Sequence, residues 1–340
     1  MLKLFIKFML NDQKNYKPKN FIKIGDYSMA RKVILDMDPG IDDALAILFA
    51  CRSPELEILG ISVVSGNVHA SKGVVNALRT LEVVGRQDIP VYMGQTKPLL
   101  RKHESAEEFH GSDGLGDAGL PMPSGKPRPE RGVKFIVDTV MNSEPGEVTL
   151  ISTGPLTDIA SAILLEPEIV KRVDRLIMMG GAYNVTQYGF GNATPVSEYN
   201  IYADPEAAKV VFESGIPITA VGLDVTTDPS AVLTREHYEE LSKLDSKTAR
   251  FATAITKRLI ERYGIIQLHD PMAVCYAVDE SLFKTSPYKV VVVTGDGVTR
   301  GQTIADRRMW IPEAERKPNA DIVCWVDGPR FIKLFMDRIK

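Results

Sequence analysis

The chain has 340 residues, 44% of them hydrophobic and 25% charged, and a formal net charge of −3. This composition is typical of a globular protein with a substantial core, and the charge gives no reason to expect a nucleic-acid partner. Cys51, Cys275 and Cys324 are too few and too scattered to form a disulfide framework or a zinc cluster. No apolar run is long enough to span a bilayer, so we expect no membrane association.

The first 28 residues differ from the rest. An apolar stretch broken by lysines is followed by a lysine-rich polar stretch. An uninterrupted apolar segment and a small-residue cleavage site are both missing, which argues against a secretory signal, although an amphipathic surface helix or a weak targeting segment stays open. We expect Met29 to be the working start. The prediction is therefore an N-terminal extension at 1–28 and one cytoplasmic domain at 29–340.

Apolar runs and helical periodicity alternate along the first 225 residues. They predict, in order, a strand ending near 35, a helix at 44–50, a strand at 57–65, a helix at 70–85, a strand at 90–93, a helix at 132–141, a strand at 147–152, a helix opening at 153–155, a strand at 175–179, a helix at 205–213 and a strand at 216–223. This alternation is typical of an α/β fold with a mostly parallel, open twisted sheet flanked by helices, Rossmann-like in architecture.

The remaining segments are less regular. Residues 97–129 are rich in Gly, Pro and charge without periodicity, and a loop of that length in a compact domain is usually functional. Residues 180–200 also read as irregular. Two helices are predicted within 234–263 and a third near Asp270, followed by a β-rich stretch at 288–326 and a closing helix.

Four aspartates, Asp36, Asp38, Asp42 and Asp43, fall within eight residues where the first strand ends and the first helix begins. Open α/β sheets bind their ligands at this edge. Because side chains alternate along a strand, Asp36 and Asp38 point to the same side. Asp42 or Asp43 can cap the helix after the turn at 39–40.

So many carboxylates repel one another unless protons or a cation neutralise them. All-oxygen ligands suit calcium or magnesium rather than zinc. A helix cap with a solvated turn is the simpler alternative, but it gives Asp36 and Asp38 no role. The sequence therefore favours a metal site.

Further polar residues follow apolar runs at probable strand or helix ends, and in a parallel sheet such ends converge on one edge. Taken singly, each has a structural explanation as a turn residue, a helix cap or part of a solvated loop. The set comprises Asn67, Thr153, Asn192, Glu198, Asn200, His269 and Asp270.

Five motifs carry a resemblance to a known family. They are the run from Asp36 to Asp43, Gly66-Asn67, the run Thr153-Gly-Pro-Leu, the run from Gly191 to Asn200, and His269-Asp270-Pro271. In this order and approximate spacing, the chain resembles the inosine-uridine preferring nucleoside hydrolases from about residue 32 to the last helix. The resemblance implies the nucleoside hydrolase fold and hydrolysis of ribonucleosides of the inosine, uridine or cytidine type to ribose and free base.

By the same resemblance, a Ca²⁺ ion is held by Asp38, Asp43, Asp270 and the main-chain carbonyl of Thr153. The ribose hydroxyls and the attacking water complete its coordination. Such an ion lowers the pKa of the water and orients the sugar. Asp38 is implied to be the general base that accepts the proton of this water.

The resemblance also implies the contacts to the sugar. Asp42 binds the ribose hydroxyls with help from Asn67 and Asn200, while Asn192 and Glu198 hold the 5′-hydroxyl. A 2′-deoxy substrate would leave several of these polar groups unfilled, so we expect a preference for ribose.

The remaining roles concern the metal surroundings and the nucleobase. Asp36 is interpreted as an acid that orients the metal-binding residues. His269 is implied to protonate the departing base, which argues against the purine-specific branch of the family. His110 lies in a loop expected to approach the base, and residues 251–267 are expected to form a mobile flap, with Tyr263 stacking on the base.

Two other functions share part of this residue pattern. A magnesium-dependent phosphatase of the haloacid dehalogenase type also carries Asp-x-Asp, but it expects Thr or Val two residues after the second Asp, where this chain has Gly40. A calcium-dependent nucleoside-binding protein without turnover would need neither Asp38 as a base nor His269 as an acid. The expected partner is a small ribonucleoside, without nucleic acid or membrane, and family resemblance implies a homodimer or homotetramer.

Overall fold

The computed structural model describes residues 30–308, 310–312 and 314–340. The predicted extension at 1–28 and the expected start at Met29 lie outside the described residues.

The described residues form a series of strands that we number in chain order. These are β1 Arg31–Met37, β2 Leu56–Val63, β3 Val91–Met93, β4 Arg128–Arg131, β5 Val148–Ser152, β6 Leu176–Met179, β7 Ile218–Val221, β8 Val232–Thr234, β9 Ile265–Gln267, β10 Phe283–Tyr288, β11 Val290–Val292, β12 Thr303–Ala305 and β13 Ala320–Val326. β8 pairs with β9 and β11 with β12 in two small antiparallel ribbons. The other strands build one central sheet.

The helices are also numbered in chain order. These are α1 Ile41–Cys51, α2 Ala70–Val84, α3 Glu107–His110, α4 Gly132–Asn142, α5 Thr157–Leu165, α6 Ile169–Arg172, α7 Tyr199–Ala203, α8 Pro205–Glu213, α9 Leu223–Thr226, α10 Arg235–Ser242, α11 Lys247–Tyr263, α12 His269–Val278 and α13 Gly328–Ile339. Single 3₁₀ turns occur at Pro229–Ala231 and Glu280–Leu282. None of the helices described here is long and apolar enough to cross a membrane.

The central sheet has the strand order β10-β13-β7-β6-β5-β1-β2-β3-β4. Its neighbouring strands run parallel except for β10, which is antiparallel to β13. The chain builds outward from β1 to β4 in one direction, then crosses back to place β5 on the other side of β1. The order therefore reverses between β1 and β5, and such a switch point opens a crevice at the carboxyl ends of the two strands.

Helices cover both faces of the sheet, which gives the fold a core on each side. Along β1, Val33 and Leu35 pack into one core and Ile34 into the other. A strand buried on both faces reads as a continuous apolar run, as this one does. The single α/β domain with a mostly parallel sheet, expected from the sequence, is confirmed.

Several elements differ from the sequence prediction. β10 was missed because Lys284, Ser286 and Pro287 interrupt its apolar pattern, which an edge strand tolerates. The segment at 97–129 is not wholly irregular, since it contains the single turn α3 and the first two residues of the exposed edge strand β4. The helix expected to open at 153–155 begins at Thr157.

Candidate active site

The predicted site residues gather at the carboxyl edge of the sheet, around the switch point. Asp38 directly follows β1, and Thr153 directly follows the neighbouring strand β5. Asn67 lies in the loop after β2, and its backbone N–H lies 2.6 Å from an Asp38 carboxylate oxygen. The parallel strands thus bring together residues that are far apart in the chain.

Three carboxylates form a cluster that could hold a metal ion. One oxygen each of Asp42, Asp43 and Asp270 lies within 4.8 Å of the others. Asp42 and Asp43 are in the first turn of α1, and Asp270 is in the first turn of α12. The backbone N–H groups at a helix N-terminus favour negative charge, so two helix ends support this cluster.

Hydrogen bonds fix Asp43 at the centre of the site. Its Oδ1 accepts from the hydroxyl of Thr153 at 2.8 Å and from the backbone N–H of Asp38 at 3.3 Å. Its Oδ2 accepts from the backbone N–H of Gly40 at 3.0 Å and from the side-chain amide of Asn67 at 3.1 Å. The carboxylate therefore has a fixed orientation before any ligand binds.

Asp38 stands beside this cluster and is fully buried. Its Oδ2 accepts the short hydrogen bond from the Asn67 N–H, while its Oδ1 has no protein hydrogen-bond partner. A Cβ built on Gly66 would lie 2.0 Å from Oδ2, and one on Gly154 would lie 3.0 Å from Oδ1. Backbone therefore encloses this carboxylate at a distance that side chains would not permit.

The clustered carboxylates of Asp38, Asp42, Asp43 and Asp270 require a positive charge or protons to balance them. Burial raises the pKa of all four, and repulsion from neighbouring carboxylates raises the pKa of Asp38, Asp42 and Asp270 further. The pKa of Asp42 rises to about 7. Buried carboxylate oxygens without partners on Asp38 and Asp42 remain to be satisfied. Oxygen donors of this kind fit a hard divalent cation.

Asp36 lies inside β1, two residues before Asp38, and is fully buried. Its Oδ2 accepts from the Ser152 hydroxyl at 3.0 Å, and its Oδ1 is buried without a hydrogen-bond partner. Burial raises its pKa, and the negative charge of Asp158 raises it further. Asp158 in turn accepts from the Ser62 hydroxyl at 2.5 Å. Asp36 therefore faces a second buried acid, a neighbour that the sequence did not reveal.

The amide of Asn200 ties the site to the next strand. Its nitrogen donates to the Thr153 carbonyl at 2.7 Å and to the Met179 carbonyl at 3.2 Å. The Thr153 carbonyl, predicted as a metal ligand, thus already accepts one hydrogen bond. A carbonyl oxygen has two lone pairs, so one remains for a cation.

Glu198 and Asn192 make local contacts around α7. The Glu198 carboxylate caps this helix by accepting from the backbone N–H groups of Asn200 at 2.8 Å and Ile201 at 3.1 Å. Asn192 is exposed, and its side-chain oxygen accepts from the backbone N–H of Tyr199 at 2.9 Å. Both residues therefore hold the segment that carries Asn200.

Two histidines face the same space. The Nδ1 of His269 lies 2.8 Å from the Thr226 hydroxyl, and the Nδ1 of His110 accepts from the Ile41 N–H at 3.1 Å. Burial lowers the pKa of His269 to about 4 and that of His110 to about 3. Both rings are therefore neutral near pH 7. In His110 the neutral ring carries its proton on Nε2, because Nδ1 accepts.

These residues line a cavity of about 290 Å³ above the acidic cluster. It adjoins a second space of about 410 Å³, and the two share Asp42, Phe109, Gln267 and His269. A larger groove, of about 660 Å³, lies elsewhere, at the amino ends of β6, β7 and β13. We place the site at the smaller cavity because the unbalanced charge lies there. The predicted residues that line it are Asp42, Asn67, His110, Thr153, Asn192, Glu198, Asn200, His269 and Asp270.

Comparison with known proteins agrees with this geometry. Residues 33–333 match the family model described as inosine-uridine preferring nucleoside hydrolase. The chain belongs to this family. It is thus a hydrolase of N-glycosyl bonds in ribonucleosides, as the sequence predicted, and its acidic cluster is that of a metal-dependent family.

Three relatives of this nucleoside hydrolase show how far the likeness extends. A probable uridine nucleosidase 2 from Arabidopsis thaliana is 39% identical over 328 residues, which cover 93% of this chain and 98% of the relative. The solved plant nucleoside hydrolase PpNRh1 is 35% identical with a TM-score of 0.84, covering 92% and 99% of the two chains. A purine-preferring ribonucleoside hydrolase from Gardnerella vaginalis is 36% identical with a TM-score of 0.83, covering 91% and 98%.

Sequence reasoning did not single out five residues that line the nucleoside hydrolase cavity, namely Ala106, Phe109, Met179, Tyr199 and Gln267. Gln267 lies two residues before His269 at the end of β9, so strand alternation could have placed both side chains on one side. For Tyr199, the local sequence gives no comparable signal.

The segment expected to form a flap has regular structure in this nucleoside hydrolase. Residues 251–267 comprise most of α11 and all of β9, with Phe251 and Ile255 buried. Its end still borders the cavity, where the ring of Tyr263 stacks on Phe109 at 6.0 Å between centroids. Tyr263 lines the adjoining second space, and both its stacking on the nucleobase and the mobility of the segment stay predictions.

Proposed function

We propose that the protein hydrolyses the N-glycosidic bond of ribonucleosides with the aid of a bound calcium ion, releasing ribose and free base. The observation that carries this proposal is the acidic group of Asp38, Asp42, Asp43 and Asp270 under a cavity of about 290 Å³, in a chain of the nucleoside hydrolase family. Asp38 and Asp42 each have a buried oxygen without a hydrogen-bond partner. Such acids cannot all be ionised without a cation, and a cation there adjoins the sugar.

The cation is held by carboxylate and carbonyl oxygens. We assign Asp38, Asp43, Asp270 and the carbonyl of Thr153 to it, with Asp42 close enough to contribute an oxygen. When bound, such an ion lowers the pKa of water and orients neighbouring hydroxyl groups. Calcium is favoured over magnesium because it accepts six to eight oxygen ligands in irregular arrangements.

Asp38 serves as the general base. Its Oδ2 is held by the Asn67 N–H, which leaves the buried Oδ1 free to accept a proton from the attacking water. Burial in protein raises the basicity of a carboxylate, and a nearby cation keeps it ionised at neutral pH. The water then attacks the sugar carbon as the bond to the base breaks, through an oxocarbenium-like state.

The polar residues of the cavity bind the sugar. Asp42 has a free Oδ1 for a ribose hydroxyl, and Asn67 and Asn200 stand beside it. Asn192 and Glu198 are assigned to the 5′-hydroxyl, with Glu198 already oriented by the backbone of α7. Removing the 2′-hydroxyl would leave buried polar groups unsatisfied, so a 2′-deoxynucleoside should react poorly.

His269 assists the departing base. With its Nδ1 accepting from the Thr226 hydroxyl, the neutral ring donates a hydrogen bond from Nε2–H to the base, which leaves with the electron pair of the broken bond. The base then takes a proton from solvent, and Asp38 returns to solvent the proton that it accepted from the attacking water. His110 and the Phe109–Tyr263 pair border the same side and are assigned to the nucleobase. One relative is named for uridine and another for purines, so we propose the inosine, uridine and cytidine type without ranking the bases.

The predicted cytoplasmic location and the homodimeric or homotetrameric assembly belong to the same proposal. They rest on the sequence and the family resemblance.

A nucleoside panel tests the proposal. Inosine, adenosine, guanosine, uridine, cytidine and their 2′-deoxy forms are incubated with the protein, and free base and reducing sugar are quantified. We expect stoichiometric base and ribose from ribonucleosides, loss of turnover in EGTA, and recovery with Ca²⁺. Turnover that survives exhaustive chelation contradicts the metal assignment. Release of phosphate from sugar phosphates without base release contradicts the reaction.

A further inference from the structure

A single peptide group connects Asp38, the proposed general base, to the loop at 97–129. The N–H of the Gly66–Asn67 peptide donates to Asp38 Oδ2 at 2.6 Å. The carbonyl of the same peptide, on Gly66, accepts from the Tyr199 hydroxyl at 2.9 Å and from the Nε2 of His103 at 2.8 Å. The Asp38 carboxylate and these two side chains thus bind opposite ends of one peptide.

The donors in this arrangement are unambiguous. A carbonyl oxygen only accepts, so His103 must carry its proton on Nε2. The Tyr199 hydroxyl also lies 2.8 Å from the carbonyl of Glu104, so its proton is shared between two carbonyls of separate segments. Burial raises the pKa of Tyr199, and the negative charge of Asp38 raises it further, which keeps the hydroxyl protonated.

Two physical effects transmit these contacts to Asp38. The peptide is planar and resists rotation, so holding the carbonyl also fixes the direction of the N–H. Hydrogen bonds accepted by a carbonyl polarise the peptide and strengthen the bond that its N–H donates. The distance of 2.6 Å to the Asp38 carboxylate matches a strong, charge-assisted hydrogen bond.

The loop contributes one more contact to the same unit. The N–H of Ala106 donates to the carbonyl of Asn67 at 2.9 Å, so residues 103–106 hold both Gly66 and Asn67. Tyr199 approaches from α7, 133 residues along the chain from Gly66. The peptide is therefore held by two independent segments.

We propose that Tyr199 and His103 are positioning residues, which orient Asp38 for proton abstraction through the Gly66–Asn67 peptide. This inference rests on the proposed role of Asp38 in nucleoside hydrolysis. It assigns to the long loop an action on the reaction that does not require contact with the substrate. Tyr199 also lines the cavity with its ring, so the hydroxyl must be tested separately from the ring.

The first test is Tyr199→Phe, which removes the hydroxyl and keeps the ring. The matched control is Tyr202→Phe on the same helix, where the ring packs under Arg300. We expect kcat to fall about 10-fold with KM within twofold, because loss of an indirect partner of a metal site typically costs 10- to 100-fold. The loss should be equal for uridine and p-nitrophenyl riboside, because Asp38 removes a proton from water in both reactions, whichever group leaves. Wild-type kcat, or a loss confined to KM or to uridine, overturns the proposal.

The second test uses His103. His103→Ala should lower kcat, whereas His103→Gln, whose amide can donate to the same carbonyl, should recover most of it. Because both side chains act on one carbonyl, the effects of His103→Ala and Tyr199→Phe should not multiply in the double variant. The proposal is contradicted if the two losses of kcat multiply fully in the double variant, or if His103→Gln has a kcat as low as His103→Ala.

A measurement without turnover separates this inference from the proposed function. Calorimetric titration of the chelated protein with Ca²⁺ should give a Kd about 10-fold weaker in Tyr199→Phe than in the wild type and Tyr202→Phe, with equal unfolding temperatures. An unchanged Kd contradicts the inference even if no nucleoside is hydrolysed. If the wild type hydrolyses ribonucleosides and Tyr199→Phe is equally active, the positioning role is refuted while the proposed function stands.

Discussion

The two rims of the central sheet, at the amino ends and at the carboxyl ends of its strands, differ in how their charged side chains are balanced. We call them the amino edge and the carboxyl edge. At the amino edge, Lys32 pairs with Glu147 at 2.6 Å and Arg31 with Glu280 at 2.9 Å, and these side chains remain partly exposed. At the carboxyl ends, Asp38, Asp42, Asp43 and Asp270 lie close together, and none of them forms an ion pair with a Lys or Arg of the described residues. Within the described residues, Asp38 and its acidic neighbours bind backbone amides, a hydroxyl group and an amide side chain.

This difference in charge, rather than volume, is the reason for placing the proposed site at the carboxyl ends of the strands. The groove of about 660 Å³ at the amino edge is larger, but acids such as Asp174 lie there beside bases such as Arg175. Its lining thus includes both positive and negative side chains, Lys289 and Lys317 among the positive ones. The smaller carboxyl-edge cavity becomes electrically balanced only when a cation or protons are added.

The largest expected effect comes from Asp38→Asn at the carboxyl edge. Loss of a general base typically costs 10²- to 10⁴-fold, and we expect kcat for uridine to fall within that range. Asp174→Asn at the amino edge is the matched control and should keep wild-type kcat. Circular dichroism should show both variants folded. Full activity of the Asp38 variant would refute its assignment as the base.

His269→Ala should produce the next largest effect, and one that depends on the leaving group. Inosine needs help for its departing base, so its kcat should fall about 100-fold. p-Nitrophenyl riboside has a good leaving group and should lose only a few-fold. Steady-state rates on the two substrates give the comparison. Equal losses would mean that His269 does not assist departure of the base.

The folding stability of the metal-free protein should depend on pH, because protons take the place of the cation among the clustered carboxylates. In the fold, the pKa of Asp42 rises from 3.8 to about 7, and the pKa values of Asp38 and Asp270 rise as well. The folded state therefore binds these protons more tightly than the unfolded chain. The resulting stability is present below about pH 4 and is lost as pH rises through about 7.

Thermal unfolding in EGTA should therefore give a Tm that falls by several degrees between pH 5 and pH 8. Added Ca²⁺ should raise Tm more at pH 8 than at pH 5, because cation and protons compete for the same oxygens. A calcium effect of equal size at both pH values would contradict the assignment of the cation to this cluster.

The smallest effect is expected at the amino edge. Lys32→Gln removes a partly exposed ion pair with Glu147. Such pairs contribute little, so kcat should be unchanged and Tm should stay within about 2 °C. Differential scanning calorimetry and the uridine assay provide the test. A large loss of activity would mean that the two edges are coupled.

The sequence predicted best those features that depend on neighbouring residues. Helix α8 was predicted to the residue, because Asp204 caps it and Pro205 occupies its first position. The run from Asp36 to Asp43 was predicted less closely. Strand end, turn and helix start follow in the expected order, but α1 begins at Ile41 rather than at 44, and Gly40 rather than Asp42 or Asp43 occupies the N-cap position.

Features that depend on distant segments could not be read in this way. The contact of Tyr199 with Gly66 spans 133 residues and leaves no periodic signal. Asp158 looks like an ordinary acid in the first turn of a helix, and only packing brings it against Asp36. The edge strand β10 was hidden by its polar residues and its proline.

Gly66 limits how this site can diverge. Every other amino acid begins with a carbon that would stand 2.0 Å from the Asp38 carboxylate. Any substitution of Gly66 therefore requires the Asp38 carboxylate or the backbone to move. Exposed residues such as Phe109, in a loop that borders the cavity, are under no such constraint and are freer to vary.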